Sequence, residues 1–307
     1  MKKHYIDFHR DVSISDLDEL LNLAEDLKKK TKSGIEHHIL KGKTLGMIFS
    51  KSSTRTRVAF EVGMYQLGGH ALFLNSNDIQ LGRGETVYDT AQVLSRMLDG
   101  IMIRTFSHQD VEDLAKYGTI PIINGLTDDQ HPTQALADLL TIKEHKGSLK
   151  GLKLCYVGDG NNVANSLIQA GAKAGMHVAV ASPEAYTCPD FYVKQGEADA
   201  AVTGGSILMT DDPFKAAKDA DVIYTDTWTS MGQEDEKAER VAIFQKYQVN
   251  RELFSHAKKD AIFLHCLPAY RDYEVTEDII DSPCSVVFDE AENRLHAHKA
   301  ILVHCLL

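Results

Sequence analysis

The sequence has little of several features that would place it in a specialised class of protein. Its 307 residues include only one tryptophan and five cysteines, without CxxC spacing, and no apolar run approaches the length of a membrane span. A disulfide-stapled secreted domain, a paired-cysteine zinc module and a membrane protein are therefore not expected. The N-terminal residues 1–10 also carry no long apolar stretch, which predicts a reduced, cytoplasmic protein.

Positive charge is in the minority, with 33 Lys and Arg against 44 Asp and Glu. The formal net charge is -11, whereas nucleic acids and anionic membranes are bound by basic surfaces, so neither partner is expected. Local arginines would then serve a small anion. The composition, 43% hydrophobic and 25% charged, is that of a soluble globular protein. The length predicts two domains of roughly 150 residues each.

Apolar runs alternate with helix-like segments along the chain. The runs cover residues 44–49, 70–74, 100–104 and 120–124, and then Leu152 to Val157, His177 to Ala181, 206–209, Val222 to Thr225, Ala261 to Leu264 and Val286 to Phe288. Strands that alternate with helices predict a parallel, covered sheet. We therefore predict an α/β fold with two domains, each a parallel sheet flanked by helices.

Three helical segments organise this prediction. Residues 13–30 have helical apolar spacing after the start signal Ser13, and His131 to Lys146 reads as a helix that links the two domains. Glu290 to Leu306 reads as a last helix that returns to the first domain. The predicted domains are residues 1–145 plus 290–307, and residues 146–289.

The strongest chemical signal lies in residues 50–57, Ser-Lys-Ser-Ser-Thr-Arg-Thr-Arg, between a predicted strand and a predicted helix. The first helical turn has unpaired N–H groups and the positive end of the helix dipole, so hydroxyls and guanidiniums there make an anion seat suited to phosphate. Arg55 and Arg57 point to different sides, so that one can bind the ligand while the other braces the loop. The alternative is an ordinary Ser/Thr helix cap followed by solvated arginines.

Polar residues follow other predicted strands, which is where ligands bind in open parallel sheets. These positions are 80–85, 104–105, 131–134, 158–162, 226–232 and 265–268. His131, at the head of a predicted helix, can donate to a developing oxyanion. Cys266, between apolar residues, is either a thiol nucleophile or a small buried hydrophobe, and the second role is the more frequent one.

The turn at 158–162, Gly-Asp-Gly-Asn-Asn, resembles half of a dinucleotide fingerprint but lacks the third glycine. We interpret it as a turn that presents asparagine side chains to a small polar substrate. A nucleotide-dependent dehydrogenase and a purely structural turn remain the alternatives. The scattered histidines form no trusted metal-ligand spacing, and no HExxH or GxSxG motif is present, so no metal site is predicted.

Four motifs taken together resemble the aspartate/ornithine carbamoyltransferase superfamily, and within it the ornithine carbamoyltransferases. They are Ser-Thr-Arg-Thr-Arg at 53–57, His-Pro-Thr-Gln at 131–134, Asp-Thr-Trp-Thr-Ser-Met-Gly at 226–232 and His-Cys-Leu-Pro at 265–268. The resemblance extends from about residue 4 to the C-terminus. It implies that the first domain binds carbamoyl phosphate and the second binds ornithine. It also implies a homotrimer or a multiple of trimers, with no cofactor.

The resemblance also implies roles for particular residues. The carbamoyl phosphate residues would be Ser53, Thr54, Arg55, Thr56, Gln80 of a neighbouring subunit, Arg104, His131, Gln134, Cys266, Leu267 and Arg294. The ornithine residues would be Asn162, Asp226, Ser230 and Met231. Arg104, His131, Asp226 and Cys266 would be catalytic, with His131 and Arg104 polarising the carbamoyl oxygen.

Three rival functions remain from the sequence. One is a carbamoyltransferase for another amine, such as putrescine or an acylated ornithine. The others are the dehydrogenase and a catalytically inactive regulatory relative. The intact motif at 226–232 favours ornithine, and the retained polar residues favour an active enzyme. Asp272 stands where relatives often have glycine, which is a small departure from the family pattern in that loop.

Overall fold

The structure is a computed structural model that describes residues 3–229, 232 and 234–307, without the side chains of 82, 83 and 234. The chain divides into two compact units. Unit 1 consists of Met1–Leu140 and Glu292–Leu307, and unit 2 consists of Thr141–Ala291. The chain passes from unit 1 to unit 2 within one helix, Pro132–Lys146, and returns within another, Val287–Leu306.

Unit 1 contains a parallel four-stranded sheet of order β2-β1-β3-β4. Its strands are β1 Thr44–Phe49, β2 His70–Asn75, β3 Gly100–Arg104 and β4 Ile122–Leu126. Its helices are α1 Phe8–Asp11, α2 Ile14–Lys32, α3 Thr54–Gln66, α4 Val87–Leu94, α5 His108–Tyr117 and the start of α6 Pro132–Lys146, and Gln80–Arg83 forms a 3-10 turn. The three strands β1, β3 and β4 are buried, as covered parallel strands are, whereas the residues of the edge strand β2 are exposed or half-buried.

Unit 2 contains a parallel five-stranded sheet of order β7-β6-β5-β8-β9. Its strands are β5 Lys153–Val157, β6 His177–Ala181, β7 Ser206–Thr210, β8 Val222–Tyr224 and β9 Ile262–Leu264. Its helices are α7 Asn162–Lys173, α8 Asp190–Thr203, α9 Pro213–Ala217, α10 Lys237–Phe244, α11 Arg251–Phe254 and α12 Glu277–Ile280, with 3-10 turns at Glu184–Tyr186, Glu234–Glu236 and Gln245–Tyr247. The predicted α/β class with two parallel sheets is therefore confirmed.

The amphipathic helix predicted at 13–30 is α2, and its beginning follows from local chemistry. The Ser13 hydroxyl accepts the N–H of Asp16, while the Asp16 carboxylate accepts the N–H of Ser13, which is a capping box. Its apolar stripe is buried and contains Leu17, Leu20, Leu21, Ala24 and Leu27. No helix among the described residues is both long and apolar enough to span a membrane.

One predicted strand is wrong. The segment Val286 to Phe288 is not a strand. The preceding residue, Ser285, forms an isolated β-bridge with Phe263, and helix α13, Val287–Leu306, begins directly afterwards. Asp289 lies in the first turn of this helix, where a carboxylate interacts favourably with the helix dipole. A short apolar run gives no periodicity that separates a strand from the start of a helix.

The last helix, α13 Val287–Leu306, returns to unit 1 as predicted and packs there against α2 and α3. The Lys28 ammonium donates to the Asn293 side chain at 2.8 Å. A Cβ atom at Gly63 of α3 would lie 3.3 Å from the Lys299 side chain, so the absence of a side chain there permits the close approach. This packing brings Arg294 to the first turn of α3.

Candidate active site

Most of the residues singled out in the sequence lie at or just beyond the carboxyl ends of the strands in each unit, whereas Gln134 and Arg294 lie on helices. We call Ser53, Thr54, Arg55, Thr56, Arg104, His131, Gln134 and Arg294 the unit 1 half-site. We call Asn162, Asp226, Cys266 and Leu267 the unit 2 half-site. The predicted residues Ser230 and Met231 lie outside the described residues.

The anion seat begins with a helix cap. The Ser53 hydroxyl accepts the N–H of Thr56 at 3.1 Å, so the ordinary cap considered in the sequence is present. Arg294 adds what a simple cap lacks, because its Nη2 donates to the buried Thr56 hydroxyl at 2.6 Å. A guanidinium from the last helix is thus held at the head of α3.

The two arginines of the motif have different surroundings. The Arg57 Nε donates to Glu61 at 2.9 Å, and its guanidinium lies 3.7 Å from the centre of the Phe73 ring. Arg57 therefore braces α3 against β2. The Nε of Arg55 is buried and has no hydrogen-bond partner within the part of the chain that the structure describes. Such a donor is available to an anionic ligand.

His131 lies directly before α6, among several basic groups of unit 1. Burial lowers the pKa of His131 well below its usual value, and Arg294, Arg104, His298 and Arg55 lower it further. Its Nδ1 is 3.3 Å from the Thr133 hydroxyl. The imidazole is therefore neutral at neutral pH, and a neutral imidazole can still donate one N–H to an oxyanion.

Two glutamines have opposite exposure. Gln134 is buried on α6, and its Nε2 donates to Asp138 Oδ1 at 2.8 Å, which fixes the orientation of the amide. Gln80 is exposed on the 3-10 turn Gln80–Arg83. An exposed position is what a residue that reaches a neighbouring subunit needs.

No role was predicted for Lys51, although it lies inside the predicted anion seat. Lys51 is buried, its Nζ donates to Asp128, and it lies 4.3 Å from the centre of the Phe106 ring. This pair ties the loop between β1 and α3 to the segment after β4. Its sequence signal was only a lysine among small residues, and Asp128 is 77 positions away.

Asp226 is the centre of the unit 2 half-site and is almost completely buried. Its Oδ2 accepts the side-chain amide of Asn161 at 2.8 Å, and its Oδ1 accepts the Cys266 thiol at 3.1 Å. A thiol that donates to a carboxylate is in its protonated form, which is the less nucleophilic form of cysteine. The contact favours a binding and orienting role for Cys266 over covalent catalysis.

A buried polar frame supports the loop that carries Cys266 and Leu267. The His265 Nδ1 accepts the N–H of Leu267 at 2.9 Å, and its Nε2 lies 3.1 Å from Glu274. Leu267 has a φ of 57°, in the left-handed region that disfavours non-glycine residues. Asp272, the position noted as a departure from glycine, also has a positive φ, 66°, so its loop keeps a conformation that glycine adopts without strain.

Asp226, His265 and Cys266 have ligand atoms within 4.8 Å of one another, which is a donor set that metal ions use. However, both ring nitrogens of His265 already interact with Leu267 and Glu274. A cation there would have to break this frame. That no metal is required stays a prediction.

The turn at 158–162 is built differently from a phosphate-binding turn. The Asn161 Oδ1 accepts the N–H groups of Val163 and Ala164, at 3.0 and 3.2 Å. These are the helix N–H groups that would otherwise face a pyrophosphate. Asn162 begins α7 and is half-buried. The geometry thus disfavours the dehydrogenase alternative. Of the two asparagines in this turn, Asn161 is the one that contacts Asp226, and the sequence alone did not distinguish it from Asn162.

Comparison with known proteins defines the class of the chain. Residues 3–144 match the carbamoyl-P binding domain of the aspartate/ornithine carbamoyltransferases, and residues 150–305 match their Asp/Orn binding domain. The chain belongs to the aspartate/ornithine carbamoyltransferase family.

Individual relatives narrow the assignment within the family. An ornithine carbamoyltransferase of Thermococcus kodakarensis is 60% identical over 95% of this chain and 93% of its own length. One from Carboxydothermus hydrogenoformans is 61% identical over 95% of this chain and 94% of its own length. The solved structure of ornithine carbamoyltransferase from Pyrococcus furiosus has a TM-score of 0.95 and 57% identity, covering 98% of this chain and 96% of that one.

Proposed function

We propose that this chain transfers the carbamoyl group of carbamoyl phosphate to the δ-amine of L-ornithine, giving L-citrulline and phosphate. The enzyme is a carbamoyltransferase, since it is about 60% identical over nearly its full length to relatives named ornithine carbamoyltransferase. The observation within the chain that carries the proposal is the cluster of Arg55, Arg104 and Arg294 around His131. Such a cluster suits a dianionic substrate with a polarisable carbonyl.

The unit 1 half-site would hold carbamoyl phosphate. Ser53, Thr54, Arg55 and Thr56 would bind the phosphate at the head of α3, where N–H groups and the helix dipole favour an anion. Arg294 already donates to Thr56 and would extend the same set of donors to the phosphate or the carbamoyl oxygen. Gln134 would bind the carbamoyl group from α6.

Arg104 and His131 would stabilise the negative charge that develops on the carbamoyl oxygen. The neutral state of His131 serves this role, because a neutral imidazole still has one N–H that it can donate to the oxyanion. One oxyanion donor contributes about 3 to 4 kcal/mol to such a reaction. Fixing the two reactants together lowers the barrier by several kcal/mol more. This chemistry needs no cofactor.

The unit 2 half-site would hold ornithine. Asp226 carries the negative charge that suits a cationic α-amino group, and Asn162, Ser230 and Met231 would complete the binding set. Cys266 and Leu267 would line the carbamoyl end of the substrate. The attacking δ-amine must be neutral, so we expect the rate to rise between about pH 6 and 9 as more of the amine loses its proton. A flat profile over that range would argue against this step.

We also propose that the enzyme is a cytoplasmic homotrimer or a multiple of trimers. The odd number of cysteines supports the reducing compartment, and none of the five forms a disulfide among the described residues. The exposure of Gln80 supports an oligomer, because an exposed side chain can reach the carbamoyl phosphate bound by a neighbouring subunit. Sedimentation equilibrium would test the trimer, and a monomer with full activity would contradict it.

Citrulline formation from ornithine and carbamoyl phosphate tests the function directly. Arg55→Ala should abolish most activity because it removes the available donor of the anion seat. Arg57→Ala is the matched control from the same motif, and its effect should be much smaller, because Arg57 braces α3 through Glu61 and Phe73. Carbamoylation of putrescine or N-acylornithine in preference to ornithine would instead support the rival amine.

A further inference from the structure

Helix α10 carries a buried arginine for which neither the motifs nor the reaction supplies a role. Arg240 is only 6% exposed. Its Nη1 donates to Asp159 Oδ2 at 3.1 Å and to the backbone carbonyl of Trp228 at 3.0 Å, and its Nε donates to Glu236 at 2.9 Å. One guanidinium thus contacts three separate acceptors.

Two of these acceptors belong to segments that carry the proposed ornithine residues. Asp159 lies in the turn that leads to Asn161 and Asn162, and Trp228 lies two residues beyond Asp226. The two segments already meet where Asn161 donates to Asp226. Arg240 joins them a second time, through Asp159 and the Trp228 carbonyl, so it fixes the spacing between Asn161 and Asp226.

The surroundings of Arg240 suit a rigid connection. Its guanidinium lies 4.8 Å from the centre of the Tyr186 ring, and the Trp228 ring stacks on Phe244 of the same helix at 5.9 Å. A planar guanidinium can donate to two acceptors and stack on a ring at once, whereas a lysine ammonium cannot stack. Because the pair with Asp159 is buried, solvent and salt screen it little.

The charges around Asp159 show how much it depends on Arg240. Burial raises the pKa of the Asp159 carboxyl to about 6, Arg240 opposes this rise, and Asp226 and Glu236 add to it. Without the guanidinium, the carboxyl would therefore favour its neutral form more strongly. The Asp159 turn and the Trp228 segment would then both lose the hydrogen bonds that Arg240 donates to them.

We propose that Arg240 is a positioning residue for the unit 2 half-site. Its guanidinium holds the Asp159 turn and the Asp226–Trp228 segment in register. The inference rests on the proposed function of the unit 2 half-site as the ornithine site. Its consequence is selective, since a loss of register affects the binding of ornithine and leaves the carbamoyl phosphate residues of unit 1 unchanged.

Steady-state citrulline formation by full-length Arg240→Met, Arg240→Lys and Asp159→Asn enzymes tests this role. Arg240→Met should raise the KM for ornithine by about 10- to 100-fold, because a displacement of about 1 Å can cost up to about 100-fold. The KM for carbamoyl phosphate should stay within about twofold. Arg240→Lys keeps the charge without the fork, so its ornithine KM should lie between those of the wild type and Arg240→Met.

Asp159→Asn supplies a second route to the same contact. It should raise the ornithine KM in the same direction, and adding it to Arg240→Met should change little further, because both substitutions break one connection. Arg251→Met is the matched control, since Arg251 pairs with Asp278 on the exposed surface of unit 2. Its kinetic constants should equal those of the wild type.

Trp228 provides a local readout, because it is the only tryptophan and is 3% exposed. Its quenching by acrylamide should increase in Arg240→Met and remain unchanged in Arg251→Met. An unchanged ornithine KM in Arg240→Met would overturn the inference, and so would an equal rise in both KM values with a lower melting temperature. Should Arg240→Met fail to fold, Arg240→Lys and Asp159→Asn give the same test.

Failure of the proposed function would appear differently. In that case the wild type and Arg251→Met would themselves form no citrulline from ornithine. If both are active while Arg240→Met and Asp159→Asn keep the wild-type ornithine KM, the function stands and the role of Arg240 is refuted.

Discussion

Replacing Arg294 by methionine should weaken the use of carbamoyl phosphate far more than it weakens the fold. Arg294 is buried, and its Nη2 donates to the Thr56 hydroxyl at 2.6 Å. Methionine keeps much of the length and the apolar stem of arginine but removes the charge and its donors. The first turn of α3 would then lose the guanidinium that α13 brings to it.

The size of the effect follows from this contact. A hydrogen bond from a charged group is worth about 1.5 to 3 kcal/mol. At about 1.4 kcal/mol for each tenfold change in rate, kcat/KM for carbamoyl phosphate should fall by about 10- to 150-fold. Loss of the nearby positive charge should also raise the pKa values of His131 and His298, because Arg294 lowers both.

The assay is citrulline formation with carbamoyl phosphate varied at saturating ornithine. Thr56→Val removes the hydroxyl acceptor while the positive charge stays, so its loss should be smaller than that of Arg294→Met. The double variant should resemble Arg294→Met, because both changes remove the same hydrogen bond. Arg10→Met is a control in unit 1, since Arg10 forms exposed ion pairs with Asp11 and Glu112.

Two results would refute the reasoning. One is a change of less than about threefold in kcat/KM for Arg294→Met, which is below the worth of a single charged hydrogen bond. The other is strict additivity of Arg294→Met and Thr56→Val, which would mean that the contact between the two side chains has no part in catalysis.

Other predictions follow from the two half-sites. His131→Ala should lower kcat by about 10²- to 10³-fold at saturating substrates, as loss of an oxyanion donor does, and an unchanged kcat would exclude that role. Cys266→Ala should lower the activity by only about tenfold, because it removes one hydrogen bond to Asp226. Total inactivity would instead indicate a covalent nucleophile. In unit 1, burial lowers the pKa values of His131 and His298 well below the usual value and that of His296 to about 4. Below about pH 6.5 the histidines of the unfolded chain therefore bind protons that those of the folded unit do not. The free energy of unfolding should then decrease as the pH is lowered, by up to about 1.4 kcal/mol per pH unit for each histidine. Urea unfolding at several pH values between 5 and 7.5 checks this, and equal stabilities would contradict it.

The architecture was largely predictable, because the signals for parallel strands are local. Each buried strand appears as a short apolar run, and each helix start as a hydroxyl or carboxylate followed by helical spacing, as at Ser13. The prediction was wrong at Val286 to Phe288, where an apolar run has the same composition as a strand but begins α13. Such a segment is decided by its tertiary neighbours, and these are not encoded in the run itself.

Motif positions were also predictable, whereas the contacts that support them were not. Arg294 and Thr56 are 238 positions apart, and Lys51 and Asp128 are 77 positions apart. No spacing rule connects such pairs. Arg240 illustrates the same limit, since an arginine in a helix rich in charged residues reads as a solvated side chain, yet it is buried against Asp159.

The charges of the two half-sites explain how one acidic protein can bind two substrates of opposite charge. The chain as a whole carries a net charge of -11, but the groups near His131 in unit 1 are basic. In unit 2 the central group is the Asp226 carboxylate, whose described partners, Asn161 and Cys266, are neutral donors. A neutral donor orients a carboxylate without cancelling its charge, so Asp226 keeps its attraction for a cation. The same acid would repel a phosphate, just as the arginines of unit 1 would repel ornithine. Removing the negative charge of unit 2 by Asp226→Asn should therefore weaken ornithine binding and leave that of carbamoyl phosphate intact. Equilibrium binding of each substrate to that variant measures the separation, and a parallel loss of both affinities would show that the two half-sites do not select their substrates by charge.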